Sequence, residues 1–244
     1  MGVLEQRVAI VSGGARGQGL AHAQRFVAEG ASVVIIDLLA EEGERAAGEL
    51  GEAARFVCGN VADAMCWAEA VETAVSAFGG LDILVNNAGK HVNRSFDDTD
   101  EAVFRSMLDN NLMGAFLGTR AVVPEMRRRG GGAIVNISSA SGFKAIMMST
   151  GYVTAKFAVR GLTRATALEL ADDGIRVNCV GPGLIRTEMS RALLKWHADD
   201  VLPKIPLKRA AEPEEVSELV LFLVSDASRY ITGGEYLIDG GSLA

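Results

Sequence analysis

Short runs of apolar, largely β-branched residues return seven times along this chain, each separated from the next by a stretch with helical spacing. The runs are "RVAIVS" (7–12), "SVVIID" (32–37), "ARFVCG" (54–59), "DILVNN" (82–87), "GAIVNIS" (132–138), "RVNCVGP" (176–182) and "EYLID" (235–239). They are apolar almost without a break, not on alternate residues. That is the pattern of strands covered on both faces, as in a parallel sheet. Between them, residues 18–29, 41–50, 64–78, 101–128, 152–172 and 213–225 predict helices. Strand and helix alternating over the full length predict an α/β fold: a doubly wound parallel sheet of about seven strands with helices on both faces. No Pro- or Ser-rich linker and no solenoid-like repeat breaks the series, so residues 1–244 are expected to form a single domain. Hydrophobic residues make up 49% of the chain, enough to fill both sides of such a sheet.

The first strand runs into "SGGARGQGLAHA", where Gly13, Gly17 and Gly19 are spaced G-x-x-x-G-x-G. A glycine-rich turn between a strand and a helix lets the backbone approach a pyrophosphate and aims the helix N-terminus at its charge. The second strand ends in Asp37, 18 residues past Gly19. A carboxylate there can hold a ribose 2′-hydroxyl and repels a 2′-phosphate, which favours NAD(H) over NADP(H). Arg16, inside the turn, is the one residue that argues for the phosphorylated cofactor, and no second cation follows Asp37. The expected fold is therefore Rossmann-type.

The remaining composition works by exclusion. A net charge of −7 disfavours nucleic acid and anionic membranes as partners. The basic run Arg127-Arg128-Arg129 leads into Gly130-Gly131-Gly132 and predicts a helix C-terminus. Three cysteines without C-x-x-C spacing point to a reducing, cytoplasmic setting. The three histidines are scattered, so no metal site is expected. "MGVLEQ" fits neither a myristoylation signal nor a signal peptide, and "LVLFLV" (219–224) is too short to span a bilayer.

Tyr152 and Lys156 lie four residues apart in "STGYVTAKFAVRGL", one above the other on a helix face. Taken alone, the pair reads more readily as a packed ring beside a lysine that snorkels to water. Other segments give it company: "NNAG" (86–89), "NLMG" (111–114), "ISSASG" (137–142), "GPGLIRTEM" (181–189) and "DGG" (239–241). In this order and over nearly the whole chain, they resemble the short-chain dehydrogenase/reductase family of the compact single-domain type. The resemblance implies catalytic roles for Asn111, Ser139, Tyr152 and Lys156. It implies cofactor contacts from Gly13, Arg16, Gly17, Gln18, Gly19, Asp37, Asn60, Val61, Asn87, Ala88, Gly89, Tyr152, Lys156, Pro182, Gly183, Ile185 and Thr187. Two positions depart from the pattern. Asn60 stands where the family usually has an acidic residue, and Gln18 replaces the usual aliphatic one.

A proton must reach or leave the substrate oxygen when hydride moves, and a tyrosine serves near neutrality only if its pKa falls from about 10. A lysine ammonium at about 4 Å, with an effective dielectric near 20, favours the phenolate by roughly 4 kcal/mol, partly opposed by desolvation. The expectation is a lowered Tyr152, with Ser139 holding the substrate oxygen. By resemblance, Lys156 binds the ribose and Asn111 anchors a water path. The same resemblance implies that segments 90–96, 140–151 and 184–205 line the pocket. Phe143, Ile146, Met147, Met148, Leu193, Leu194, Trp196 and Leu202 suit an apolar ketone or secondary alcohol, steroid- or terpenoid-like.

Three functions are compatible with these residues. The first is an NAD-dependent secondary-alcohol dehydrogenase similar to bacterial 3α/20β-hydroxysteroid dehydrogenases. The second is a 3-oxoacyl-thioester reductase using NADPH and a basic patch at Arg127–Arg129. The third is a non-catalytic NAD-sensing or scaffold protein. Helices 101–128 and 152–172 are apolar on more than one face, which by resemblance implies a homotetramer.

Overall fold

The computed structural model describes residues 2–244. Its seven strands are β1 (Val8–Ser12), β2 (Ser32–Asp37), β3 (Ala54–Cys58), β4 (Ile83–Asn86), β5 (Gly132–Ile137), β6 (Ile175–Pro182) and β7 (Glu235–Ile238). Each falls within a residue or two of an expected run. They form one sheet in the order β3-β2-β1-β4-β5-β6-β7, with every pairing parallel.

Helices cover both faces: α1 (Gly17–Ala28), α2 (Ala40–Leu50), α3 (Ala64–Phe78), α4 (Glu101–Leu108), α5 (Gly114–Arg129), α6 (Thr150–Glu169), α7 (Arg191–Val201) and α8 (Pro213–Val224). The period-2 geometry of a strand divides its side chains between two cores. Ala9, Val11, Val33, Ile35, Val85 and Val135 pack with Phe26 of α1 and Val216, Val220 and Leu223 of α8. Ile10, Val34, Ile36, Leu84 and Ile134 pack with Trp67 of α3 and Val122 and Met126 of α5. Burying such a side chain completely stabilises the fold by roughly 1.5–3 kcal/mol, and both faces of the central strands gain it. That is why the runs show no alternation.

Helix ends follow local chemistry. Asp63 caps α3 through the Met65 N–H at 2.9 Å. The basic run does close a helix: Gly130, at φ 83°, ends α5 in the left-handed region that a side chain disfavours.

Two features depart from expectation. The helix read over 101–128 is two helices, α4 and α5, joined by a π-helical turn at Asp109–Met113. In addition, α7 is a helix where only a pocket-lining segment was expected.

Strand order reverses between β1 and β4. Chain passes to opposite sides of the sheet there, leaving a crevice beyond their carboxyl ends. The glycine turn leaves β1 and the "NNAG" segment leaves β4 at this point.

Candidate active site

The glycine turn is shaped by close backbone approach. Gly13 and Gly17 have φ of 65° and 56°, and a Cβ on Gly19 would lie 2.1 Å from the Gly13 carbonyl oxygen. A Cβ on Gly17 would meet nothing nearer than Thr187 Cγ2, at 3.5 Å. The turn therefore opens toward residues 185–187 across the crevice. Arg16 occupies the N-cap of α1 without a side-chain hydrogen bond, so the helix's first N–H groups stay available to an anion. Asp37 closes β2 beside the turn. Its carboxylate accepts the Ala15 N–H at 3.1 Å and the Leu39 N–H at 3.2 Å, which fixes its orientation.

Asn87 ties this turn to β4. Its Nδ2 donates to the Ser12 and Gly13 carbonyls at 2.9 and 3.2 Å, and its own N–H donates to Ser12 Oγ. Gln18 donates to Asn87 Oδ1 at 3.2 Å, which gives its unusual side chain a task. The Ala88 N–H also donates to Ser12 Oγ. Asn60 is exposed and accepts the Ala62 N–H, while Val61 is buried with its carbonyl accepting from Trp67 Nε1. On the far wall, a Cβ on Gly183 would come 2.7 Å from Asp239 Cα, so the chain after Pro182 needs glycine to pass β7. Ile185 is buried, and Thr187 opens a capped turn with Ser190.

Behind the crevice, Gly89, Asn111 and Lys156 converge. A Cβ on Gly89 would lie 2.8 Å from Asn111 Oδ1 and 3.4 Å from Lys156 Nζ. Asn111 sits on the π-helical turn, buried; it donates to the Lys90 and Met107 carbonyls at 2.9 Å and accepts the Lys90 N–H at 3.2 Å. Lys156 is only 3% exposed and donates to the Ile137 carbonyl at 2.9 Å, with Nζ 5.6 Å from the Tyr152 ring centre. Ser138 is buried and donates to the Lys156 carbonyl, anchoring α6. Ser139 stands free of that task. It accepts the Ser141 N–H and hydrogen-bonds the Tyr152 side chain.

The expected lowering of Tyr152 is not found. Burial raises its pKa, and the hydrogen bond with Ser139 offsets only part of that. Burial likewise brings Lys156 down to about 8. Both groups lie where desolvation penalises the charged form, and the lysine's nearest partner is a backbone carbonyl.

The pocket side chains divide. Phe143 is turned inward, with the Arg160 guanidinium 3.9 Å above its ring. Ile146, Met147, Met148, Leu193 and Trp196 remain exposed on the 140–149 loop and α7. Three groups escaped the sequence reading. Ser12 receives two N–H groups at the β1 end. A buried chain, Asn86 to Asn136 at 2.8 Å and Asn136 to Thr163 at 2.9 Å, ties β4, β5 and α6 together. His91 stands against the Tyr152 ring. Asparagines inside apolar strands were the available signal for the second.

This architecture defines a class: a Rossmann-type protein whose glycine turn lies at the switch point of its sheet. A family profile described as enoyl-(acyl carrier protein) reductase matches residues 13–242. The chain is 50% identical over 243 residues to a 3-alpha-(or 20-beta)-hydroxysteroid dehydrogenase of Mycobacterium tuberculosis, covering 100% of this chain and 92% of that one. It is 42% identical to a trans-4-hydroxycyclohexanecarboxylate dehydrogenase of Sinomonas cyclohexanicum (98% and 93% covered). It is 40% identical to a cyclopentanol dehydrogenase of Comamonas testosteroni, over the full length of both. The chain belongs to the short-chain dehydrogenase/reductase family. It is an oxidoreductase that moves hydride between a nicotinamide cofactor and an alcohol or ketone. Among the described residues no helix is long and apolar enough to cross a membrane, and no cluster of three or more His, Cys, Asp or Glu could hold a metal ion.

Proposed function

We propose that this enzyme is an NAD-dependent dehydrogenase for a secondary alcohol, or its ketone, carried on a ring of mainly apolar character. The observation that carries the catalytic reading is a buried polar group at one place: Asn111 and Lys156 meet at Gly89, and Tyr152, one helical turn before Lys156, is buried beside Ser139. Lys156 is almost fully buried there, with the Ile137 carbonyl as its partner. When bound, the nicotinamide supplies or accepts the hydride. Ser139 holds the substrate oxygen, and Tyr152 exchanges a proton with it. Lys156, poised near neutrality, holds the ribose hydroxyls and biases the phenol toward proton loss. Asn111 keeps the Lys90 backbone and the proton path in place.

Asp37 supports NAD over NADP, because its fixed carboxylate would face a 2′-phosphate. The exposed Ile146, Met147, Met148 and Trp196 support an apolar substrate. The relatives' names share one chemistry, a hydroxyl on an alicyclic molecule. The thioester-reductase alternative needs a basic patch, and Arg127, Arg128 and Arg129 are each paired, with Asp173, Glu125 and Asp82. The quaternary state proposed is a homotetramer.

The test follows the reduced nicotinamide by absorbance, with NAD and NADP against cyclic alcohols. NAD should be favoured by at least about tenfold in kcat/KM. Tyr152→Phe should lower kcat by about a hundredfold or more while leaving NADH affinity nearly unchanged. Preference for NADP, or turnover retained in Tyr152→Phe, would overturn the respective assignment.

A further inference from the structure

The N-terminus of α6 is built unusually. Ser149 occupies its N-cap position, where a serine hydroxyl ordinarily accepts a hydrogen bond from the helix's first turn, yet it makes no such bond. The side chain is instead buried, 3% exposed, with Oγ 2.8 Å from His91 Nε2. The His91 ring in turn lies 4.6 Å from the Tyr152 ring, tilted by 43°. One proton arrangement serves every contact: His91 Nε2–H donates to Ser149 Oγ, whose own proton goes to the Met147 carbonyl at 3.3 Å. A second bond joins the same two loops, from the Arg94 N–H to the Met148 carbonyl at 2.8 Å. Met148 is held at φ 58°, a left-handed conformation unusual for a non-glycine residue.

A helix that gives up its side-chain cap loses about 1 kcal/mol, and a strained methionine adds to the cost. Both fall within four residues of Tyr152 and serve one geometry, a loop held against the face of the phenol. We propose that His91 and Ser149 act as one positioning pair for Tyr152, fixing the ring's orientation so that its oxygen faces Ser139 and the substrate. This rests on the assignment of Tyr152 as the proton-exchanging group. Burial lowers the imidazole's pKa and keeps it neutral near pH 7, so the ring packs on the phenol without setting a charge there.

The test combines kinetics with a direct view of the phenol. The chain has three tyrosines, so Tyr152 can be assigned in protein labelled with [13Cζ]tyrosine by its loss in Tyr152→Phe. His91→Phe and Ser149→Ala should each shift the Tyr152 resonance. Each should lower kcat by about ten- to a hundredfold with the cofactor KM unchanged. The double variant should be no worse than the poorer single one, since either change dissolves the same unit. Losses that multiply, or a Tyr152 resonance unmoved in both variants, would overturn the pair. If His91→Phe fails to fold, Ser149→Ala alone decides through the resonance. If Tyr152→Phe retains turnover while the pair still governs the resonance, the proton-exchange role falls and the positioning geometry survives.

Discussion

Lys156 shows how the site sets stability against function. A buried ammonium near pH 7 is held in the folded state at a pKa of about 8, against 10.5 as its ordinary value. The unfolded chain therefore binds more protons between those values, and stability rises with pH through that window. Below pH 8 the whole penalty is present. Lys156→Met removes the charge while keeping most of the volume, so it should abolish catalysis. At pH 7 it should melt higher than the parent, by up to about 3 kcal/mol less the lost bond to the Ile137 carbonyl. Melting curves across pH 7–10.5 should show the gap close; a gap independent of pH would mean that burial does not set this lysine's proton affinity. Residues like this one are legible in sequence as a pair, because Tyr152 and Lys156 sit four apart on one helix face. Their electrostatics are not. The expected lowering of Tyr152 set the Lys156 charge above desolvation, whereas burial raises the phenol's pKa and the hydrogen bond with Ser139 offsets only part of that. His91 was equally out of reach, because its partner Ser149 is 58 residues away in the chain.

Elements were legible where a single physical pattern governed them. All seven strands stand where apolar runs predicted them: β1, β2, β4, β5 and β6 are buried almost throughout, which leaves a signal in nearly every residue, whereas the edge strands β3 and β7 are only partly buried. The π-helical turn at Asp109–Met113 was hidden. An i→i+5 turn changes the register of a helix without changing its composition, and "DNNLMG" carries no breaker before Gly114. A π-helical turn holds one residue more than an α-helical one, and Asn111, whose side chain reaches Lys90 and Gly89, stands on it. Deleting Asn110 should restore a continuous helix from α4 into α5, turn Asn111 out of register, and lower kcat as far as Asn111→Ala does. Circular dichroism should show helix content unchanged. Activity retained in the deletion would show that the turn does not position Asn111. Helix α7 escaped because none of its residues is buried, so no apolar stripe marks it. The packing of α1 on α8 supplies a further test. His22 is fully buried between them, with Nδ1 2.8 Å from Ser217 Oγ and Nε2 unpartnered. Its pKa is lowered to about 3. The stability it contributes is present above pH 6.5 and lost as pH falls toward 3, at up to about 1.4 kcal/mol per pH unit. His22→Leu should flatten the acid limb of the stability–pH curve; an unchanged limb would place the acid sensitivity elsewhere.

At the scale of the whole molecule the question is what covers the outer faces of α5 and α6. Met113 and Phe116, at the end of the π-helical turn and the start of α5, are 39% exposed, and Phe157 on α6 is 41% exposed. Large apolar side chains held on regular helices, not on loops, are the kind of surface that association buries. The same helix α6 carries Tyr152 and Lys156, and Phe157 is the next residue in sequence, about 100° round the helix and exposed where Lys156 is buried. A partner copy on that face would brace α6 from outside, as Ser138 and the Asn136–Thr163 bond brace it from within. Four copies of the 25.7 kDa chain give a particle of about 103 kDa, each copy carrying −7. Like charges oppose assembly and salt screens them. Light scattering should find this mass at moderate salt, with dissociation favoured as salt is lowered. Phe116→Glu combined with Phe157→Glu places carboxylates where apolar contact is needed. The double variant should shift the mass to dimer or monomer and lower kcat together with melting temperature. A parent chain that scatters as a monomer at micromolar concentration, or a double variant that keeps the full mass, would show that these helices face solvent in the working enzyme.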